Sequence, residues 1–577
     1  MINFFQPGMI LILCGILVLL LPEKWIALRR ILLAASSVLT FYAVLFTSGF
    51  GKLELMFGMI FAFISLVGAL YNFHVKDRFE IAAETVYAGA SISVVFADTW
   101  MNMIVFWELM AVASWLIVVS VRNERATKAG FRYLMVHMLG GNLLLAGIAI
   151  KLVQGQYFIG NLTEDGLGVL TGGPQDAAFW LILAGVALNA AVPPLHAWIA
   201  DAYPEAPMGG TVYMGSYTTK VGVFCLIKLF AGTQLLLYFG VGMAIFGACM
   251  ALMENDLRRL LSYHIVSQVG YMVAAVALGG ALGVDGAAAH AFNNILYKGT
   301  MLMCAGVLIE ATGKRKISEL GGLGRKMPLT AGCFLAASLA IAGFPLFNGF
   351  VSKSLMMNAT AESGIHWAEL GLMLASIGTL LSITLKINYF VFWGKSDAEL
   401  DVSEASVPLG RKIAMAAAAF GCFVCGILPG FVYGLTPYGS DGHPFTVDHV
   451  TQYMQLFAAA AIAFLMYLDH MKPHDELSLD ADWIYRKPLP ILVNWMSVKF
   501  NHLRLAAGGG MGRWIAVGSR YLHDPQKLAQ EVFGVKEPEP RDCLEDDDVL
   551  QKPAGWLVEI SFFIFFAVVI YVLLRTR

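Results

Sequence analysis

The chain of 577 residues is 58% hydrophobic and only 14% charged, with a mean hydropathy of +0.68 and a formal net charge of −2. Soluble domains of ordinary composition carry about 25% charged residues. The composition therefore excludes a soluble globular protein and indicates a multi-pass protein whose partner is the lipid bilayer. The positive and negative charges nearly balance and the sequence shows no basic tail, so its charge does not suggest nucleic-acid binding.

Hydrophobic segments follow one another along the chain and predict about sixteen membrane-spanning helices. The first has no charged leader, so we interpret it as a transmembrane helix and not as a signal peptide. The spans lie near residues 8–22, 29–49, 53–73, 79–97, 100–121, 129–152, 177–201, 208–230, 235–253, 258–281, 286–310, 328–358, 366–394, 411–434, 451–469 and 555–574.

Lysine and arginine concentrate in alternate loops. The loops after spans 1, 3, 5, 9 and 11 are basic, as in "EKWIALRR", "RNERATK" and "ENDLRR", whereas the intervening loops nearly lack Lys and Arg. The positive-inside rule then predicts a protein of the inner (plasma) membrane with both termini outside. The acidic loop "DAYPEAP" after span 7 departs from this pattern.

Two spans contain helix-breaking residues. Span 7 contains Pro193 and Pro194, and span 12 contains Pro345 between glycines. Proline removes a backbone donor, which is tolerated at membrane depth only where protein or a watery cavity satisfies the freed groups. The two breaks are five spans apart in the chain, which suits two inverted five-helix repeats, spans 4–8 and 9–13. Ordinary proline kinks are the alternative interpretation.

Ionisable residues lie inside several spans, although each costs roughly 2.5–3.5 kcal/mol at the membrane centre. In "HAFNNILYKG", His290, Asn294 and Lys298 recur every four residues and form one polar stripe on a helix. Lysine in a dry site and histidine exchange protons near neutral pH. The set therefore predicts a path for protons or another cation. Taken singly, His137 also suits a hydrogen-bonded core histidine, and Lys386 also suits a lysine that reaches the interface.

In order over roughly residues 90–400, several motifs resemble one membrane family. They include "VFWELMAVASWLIV", "VPPLHAWIADAYPEAP", "TTKVGVFCLIK", "HAFNNILYKG" and "LAIAGFPLFNGFVSK". The chain resembles the antiporter-like subunits shared by respiratory complex I (NADH-quinone oxidoreductase), membrane-bound hydrogenases and Mrp-type cation/proton antiporters, and the Mrp D branch most. The resemblance implies an all-α polytopic membrane protein with a core of about fourteen helices, two inverted five-helix repeats and a hydrated polar axis at mid-membrane.

The resemblance also implies which residues form the proton or ion path. By position in the motifs, the family's ionisable residues fall on Glu108 of span 5, His196 of span 7, Lys220 of span 8, His290 and Lys298 of span 11, Lys353 of span 12 and Lys386 of span 13; His137 is a further candidate.

One position departs from the family pattern. The family places a lysine seven residues before the histidine of "PLH", where it pairs with the glutamate of span 5, but this chain has Asn189 there. Asparagine carries no charge and cannot neutralise Glu108. We therefore expect Glu108 either to contact Lys220 or His137 or to remain without a cation, in which case the first half of the path is altered or silent.

The predicted organisation has six parts. They are N-terminal helices (1–78), the first repeat (79–230), the second repeat (235–394), closing helices (411–469), a lateral amphipathic segment at the cytoplasmic face (470–553) and an anchoring transmembrane helix (555–574). The lateral segment mixes Trp with Lys and Arg, as interfacial helices do. It also resembles the lateral helix of the distal antiporter-like subunit of complex I.

The sequence lacks phosphate-binding glycine loops, iron–sulfur cysteine clusters, flavin fingerprints and haem patterns. We interpret Cys422 and Cys425 as small helix-packing residues and expect no cofactor, metal or catalytic redox centre in this chain. Three functions remain open. The chain is a proton- or cation-translocating subunit that moves protons, or sodium ions, beside other membrane subunits, including further antiporter-like ones; a membrane subunit of an inorganic-carbon uptake system; or a non-translocating scaffold.

Overall fold

The computed structural model describes residues 6–22, 24–171, 173, 175–394, 400–474, 480, 483, 487–488, 491–492 and 494–499. The chain divides into two compact units, residues 1–478 and 479–577. In the second unit, residues 494–499 are helical, and Lys499 lies over the ring of Trp495. The rest of the predicted lateral segment and the predicted anchoring helix lie outside the described residues.

The first unit is built from helices. In chain order they are α1 (Gly8–Leu20), α2 (Ile26–Phe46), α3 (Lys52–Tyr71), α4 (Arg78–Val95), α5 (Trp100–Val119), α6 (Glu124–Val153), α7 (Ala177–Asn189), α8 (Trp198–Ala202), α9 (Met208–Ser216), α10 (Thr218–Phe230), α11 (Leu235–Met253), α12 (Leu257–Leu278), α13 (Gly280–Thr312), α14 (Leu323–Lys326), α15 (Pro328–Ala342), α16 (Asn348–Glu362), α17 (His366–Thr379, continued by a π-helix, Leu380–Trp393), α18 (Leu409–Ile427), α19 (Pro429–Leu435) and α20 (Val447–Met466).

Every predicted span within the described residues coincides with one helix or with a broken pair of helices. Ten helices of the described residues are long and apolar enough to cross a membrane, and α1, α7 and α15 are shorter apolar helices. The predicted fold class, an all-α polytopic membrane protein with broken helices, is therefore confirmed. The chain is a multi-pass membrane protein.

Helices α12 and α13 lie at the centre of the first unit. The apolar window of α12 is entirely buried, whereas that of α20 is only 17% buried, so α20 lies at the periphery. Small residues let the central backbones approach closely, as membrane helices require. At Gly270 of α12, for example, an added Cβ would overlap the backbone nitrogen of Ala244 in α11.

The acidic loop after span 7 has a structural explanation. Asp201 accepts two hydrogen bonds from Arg132 at 2.7 and 2.8 Å, and Glu205 pairs with Arg315 at 3.2 Å. Arg132 lies near the start of α6, just after the basic loop that follows span 5. Arg315 lies in the basic loop that follows span 11. The acidic loop therefore lies on the same membrane face as those loops and offsets part of their charge. We call this face the basic-loop face.

Arg258 fixes the chain between α8 and α9. Its guanidinium donates hydrogen bonds to the carbonyls of Tyr203 and Ala206 at 2.9 and 2.7 Å and contacts the Thr211 hydroxyl. We expect Arg258→Met to lower the apparent Tm of the detergent-solubilised protein, because each buried acceptor left unsatisfied costs about 1–3 kcal/mol.

Arg259→Met is the matched control for that change. The neighbouring Arg259 is 41% exposed and pairs at 3.2 Å with Glu254, whose side chain is 8% exposed. Because the Arg259 guanidinium is partly solvated, we expect Arg259→Met to lower the Tm by less than Arg258→Met does. Equal losses in the two variants would show that Arg258 does not fix this connection.

Candidate functional site

Both predicted helix breaks are present and place non-glycine residues in the left-handed backbone region. In span 7, α7 ends at Asn189, and Ala191 has φ 57°. In span 12, Leu346 has φ 75° between α15 and α16. Such conformations are uncommon outside glycine and cluster at functional sites. They free backbone carbonyls in the membrane interior, where polar side chains must satisfy them.

A third break, in span 8, is one that the sequence analysis missed. Helix α9 ends at Ser216 and α10 begins at Thr218, with Tyr217 at φ −106° and ψ −69°. The Gly215–Ser216 pair is a sequence signal for such a kink. The fully buried Lys220 follows it, and its Nζ donates to the Gly215 carbonyl at 2.8 Å and to the Thr219 hydroxyl at 3.2 Å.

Lys298 lies at the centre of the molecule, on α13. It is fully buried, and its Nζ donates to the Leu261 carbonyl of α12 at 3.2 Å. Lys298 is close enough to Lys220 for their two ammonium charges to repel each other. Because repulsion between like charges is strong in a low-dielectric interior, a state in which both lysines are protonated is disfavoured.

Lys353 occupies the first turns of α16, directly after the break in span 12. Its Nζ donates to the Ala342 carbonyl at 3.1 Å, where α15 ends, and to the Ser376 hydroxyl of α17 at 3.0 Å. The ammonium also lies 5.2 Å from the centre of the Tyr271 ring. Lys353 lines a cavity of roughly 180 Å³ whose wall also includes Asn358 and Gln452. Because these two residues are exposed, the cavity leads from the buried lysine to the protein surface.

A hydrogen-bond network connects the neighbourhood of Lys298 with that of Lys353. The Tyr297 hydroxyl accepts from the Asn294 amide at 3.0 Å and donates to Gln268 Oε1 at 3.2 Å. His290 joins Gln268 through Nε2 at 3.2 Å and the Ser352 hydroxyl through Nδ1 at 2.9 Å. Of these groups, the sequence analysis named only His290 and Asn294, since Gln268, Tyr297 and Ser352 belong to other turns and helices.

Lys386 lies within the π-helix that continues α17. Its Nζ donates to the carbonyls of Leu252 and Glu254 at 2.7 and 2.8 Å, so it binds the C-terminal end of α11. A cation at a helix C-terminus is stabilised by the helix dipole. Lys386 is 3% exposed, and its acceptor Glu254 begins the basic loop "ENDLRR", so Lys386 is buried in protein next to the basic-loop face.

The two remaining predicted histidines, His137 and His196, are buried and pack against aromatic rings. His137 Nδ1 lies 3.0 Å from the Tyr133 carbonyl, and its ring stacks on that of Tyr133 with the centroids 4.0 Å apart. His196 follows the break in span 7 and packs edge-on against Phe246. His137 thus has the contacts of a core histidine.

As the sequence predicted, Glu108 has no charged partner at position 189, because that residue is an asparagine. The Glu108 carboxylate packs against Gly141 of α6, where an added Cβ would overlap it. Within the described part of the chain, Glu108 makes no ion pair or hydrogen bond with Lys220 or His137. The buried Asn189 amide likewise has no hydrogen-bond partner there for either its nitrogen or its oxygen.

The described residues offer no group of three or more His, Cys, Asp and Glu placed to hold a metal ion. The polar interior instead contains the buried lysines Lys220, Lys298 and Lys353, with neutral donors and acceptors between the neighbourhoods of Lys298 and Lys353. These lysines and the broken helices define an antiporter-like membrane subunit.

Comparisons with known proteins agree with that class. The model of the NADH:quinone oxidoreductase/Mrp antiporter transmembrane family matches residues 97–382. An uncharacterized protein of Methanocaldococcus jannaschii is 31% identical over 357 residues, which cover 59% of this chain and 73% of that protein. A Na(+)/H(+) antiporter subunit of Alkalihalophilus pseudofirmus is 28% identical over 510 residues, which cover 78% of this chain. This chain spans only 61% of that relative's length.

Solved structures share the fold. A chain of the Mrp complex from Dietzia sp. superimposes with a TM-score of 0.65 at 21% identity, covering 78% of this chain and 97% of that chain. A chain of respiratory complex I from Thermus thermophilus with bound NADH gives a TM-score of 0.65 at 21% identity, covering 78% of this chain and 99% of that chain. The chain belongs to the NADH:quinone oxidoreductase/Mrp antiporter transmembrane family, which confirms the resemblance found in its motifs.

Proposed function

We propose that this protein is a proton-translocating, antiporter-like subunit of a multisubunit membrane complex. The observation that carries the proposal is that Lys220, Lys298 and Lys353 are each at most 1% exposed and bind only neutral oxygens among the described residues. A buried charge without a counterion is strongly disfavoured, so such lysines exchange readily between charged and neutral forms. That exchange is what a proton relay requires.

The path in this proposal runs from Lys220 through Lys298 and His290 to Lys353. His290 is close enough to Lys353 and Lys220 to feel both charges, and it contacts Ser352, the neighbour of Lys353. His264 lies within electrostatic range of Lys298, Lys353 and Lys386. Lys386 is therefore linked electrostatically, by way of His264, to two lysines of the path. Movement of one charge therefore changes the stability of the next, which couples the steps electrostatically.

The proposed orientation places the basic-loop face in the cytoplasm and both termini outside an inner (plasma) membrane. The rule that basic loops stay in the cytoplasm supports it. The cavity at Lys353 then opens to the outside, because Asn358 and Gln452 flank loops that follow even-numbered spans. Sodium is a second candidate ion, since one relative is named as part of a Na(+)/H(+) antiporter.

Glu108 supports the proposal that further membrane subunits are partners. It shares one face of α5 with Met101, Val105 and Val112, which are 43%, 37% and 42% exposed. A carboxylate on an outward face at membrane depth is costly in lipid. We propose that a neighbouring subunit covers this face and supplies a polar or cationic group to Glu108.

Two substitutions test whether the first half of the path conducts. Glu108→Gln removes the carboxylate, and Asn189→Lys places a cation on the break in span 7. If the first half conducts, both variants should slow proton flux into vesicles that contain the purified complex. Glu108→Gln removes the ionisable group of span 5, and Asn189→Lys adds a charge next to α10, the helix that carries Lys220.

Wild-type flux in both variants would contradict a conducting first half and would favour a scaffold role for it, with the path confined to the second half. Slow flux in Glu108→Gln alone would show that another cation already occupies the place of the family lysine. Gly141→Ala is an independent check, because its Cβ overlaps the Glu108 carboxylate and should shift it without changing any charge.

A further inference from the structure

Three polar residues share one face of α4, a helix outside the segment that the family model matches. Glu80, Glu84 and Tyr87 follow one another at spacings of four and three residues, which are neighbouring positions on a helix surface. Glu80 is partly exposed near the start of α4, whereas Glu84 is 2% exposed and Tyr87 is fully buried. We call these three residues the α4 stripe.

Glu84 lies where α3, α4 and α9 meet. The Asn72 amide at the end of α3 donates to Glu84 Oε2 at 2.6 Å. Glu84 Oε1 is buried, and no described residue donates a hydrogen bond to it. Gly210 of α9 packs beside this oxygen: a Cβ added there would lie 3.5 Å from it and would overlap the Ile117 side chain. A buried carboxylate with one oxygen unused by the protein is not explained by packing.

Tyr87 reaches the break in span 8. Its hydroxyl lies 2.6 Å from the Thr218 hydroxyl and accepts a hydrogen bond from the Thr218 backbone nitrogen at 2.9 Å. The next residue, Thr219, accepts from Lys220 Nζ at 3.2 Å. The stripe therefore extends from the partly exposed Glu80 to the first buried lysine, with a rise of about 10 Å between Glu80 and Tyr87.

The outer end of the stripe lies on the basic-loop face. Arg122 and Asp77, from two loops of that face, form an ion pair at 2.8 Å. The charges within electrostatic range of Glu80 are Asp77, Glu310, Arg122 and Arg411. Glu80 is thus reached from the loops, and Glu84 lies one turn deeper.

We propose that the α4 stripe is the route by which protons pass between the basic-loop face and Lys220. The proposal rests on the proton translocation proposed above and names its exchange route. The Glu84 carboxylate takes up a proton that arrives past Glu80. The Tyr87 hydroxyl accepts the proton that Glu84 gives up and releases its own to the Thr218 hydroxyl. The Thr218 hydroxyl releases its proton in turn, through a bridging water, to the neutral Lys220 amine, which becomes an ammonium. Water bridges the step between Glu84 and Tyr87, with Glu84 Oε1 as its acceptor.

The test uses the complete complex in vesicles, with proton flux followed by a pH-sensitive dye. Glu84→Gln keeps the shape of the side chain and an oxygen for Asn72, but it cannot carry a proton. We expect flux to fall by about a hundredfold, the lower end of the loss for a positioned proton-transfer group. Glu84→Asp, which keeps the carboxyl, should retain most of the flux. Tyr87→Phe should slow flux as well.

A solvent isotope effect distinguishes a relay from a structural role. In Glu84→Gln, proton exchange at this end becomes rate-limiting, so the ratio of flux in H₂O to flux in D₂O should rise above that of the wild type. The matched control is the double variant Glu54→Gln/Lys228→Met, which removes a buried ion pair of 2.7 Å between α3 and α10 away from the stripe. Its flux should stay within about twofold of the wild type, since removing both partners of a buried pair is often neutral.

The possible results distinguish a failure of the α4 route from a failure of the proposed proton translocation. Wild-type flux in both Glu84→Gln and Tyr87→Phe, with an inactive Lys298→Gln, overturns the α4 route and leaves the proposed function standing. Wild-type flux in Lys298→Gln overturns the proposed function itself. If Glu84→Gln does not assemble, Tyr87→Phe and its isotope effect decide the question alone.

Discussion

Lys298→Gln is expected to reduce proton flux by at least about a hundredfold while the complex still assembles. Lys298 is the central ammonium between Lys220 and the network around His290, and glutamine holds no exchangeable charge. Loss of a single positioned proton-transfer group costs about 10²–10⁴-fold. Glutamine keeps a polar N–H donor on the side of α13 that faces the Leu261 carbonyl, one bond short of the lysine ammonium, so the substitution changes the packing of α13 against α12 little.

Flux is measured in vesicles that contain the purified complex, and assembly is measured by size-exclusion chromatography of the same preparation. Lys151→Gln is the control, because Lys151 is also a buried lysine near a helix end but pairs with Asp176 at 3.5 Å, away from the line of lysines. Lys151→Gln should conduct nearly as the wild type does. Equal flux in the two variants would contradict a relay through Lys298.

Lys353→Ala is the second change for which we expect a loss of translocation with assembly intact. In the proposed path, Lys353 is the last ionisable group before the cavity, and its contacts with Ala342 and Ser376 hold it at the break in span 12. Alanine leaves the cavity open to water but provides no group that takes a proton from the side of His290. We expect a loss of about a hundredfold or more.

The control for this change is Met357→Ala, one helical turn along α16 in the wall of the same cavity. It enlarges the cavity without removing an ionisable group, so flux should remain close to that of the wild type. Unchanged coupling in Lys353→Ala would remove the exit role from Lys353. A comparable loss in both variants would show that cavity shape, and not the lysine, limits flux.

Much of the fold follows from the sequence because the bilayer restricts what a chain can do. Spans were predictable from hydrophobic length, and the breaks in spans 7 and 12 from proline, since Pro193 and Pro345 remove backbone donors. The family resemblance was predictable because several motifs occur in order. The placement of Lys220, Lys298 and Lys353 within spans also marked them as candidates.

Other features depend on contacts between distant segments. The break at Tyr217 has no proline, and its only local signal is the Gly215–Ser216 pair. Lys386, within the π-helix, binds carbonyls at the end of α11, more than a hundred residues earlier in the chain. Glu84 occurs near the start of a span, where an acidic residue is ordinary. Only the packing of α3 and α9 against α4 shows that its carboxylate is buried.

The acidic loop after span 7 shows how such contacts change an interpretation. By composition alone it argues against the orientation of its neighbours. In the structure, Asp201 and Glu205 pair with arginines of the basic loops, so the loop lies on their face. The charges that surround the loop therefore indicate its membrane face better than its own net charge does.

In the proposed path, Lys220, Lys298 and Lys353 belong to one continuous hydrated line. An experimental structure of the complex with its native partners, at a resolution that shows ordered water, would reveal that line. We expect waters at hydrogen-bond spacing from Lys220 Nζ past Lys298 and His290 to Lys353, with one on Glu84 Oε1. A dry apolar gap between any two of the three lysines, or an ammonium that faces lipid, would contradict it.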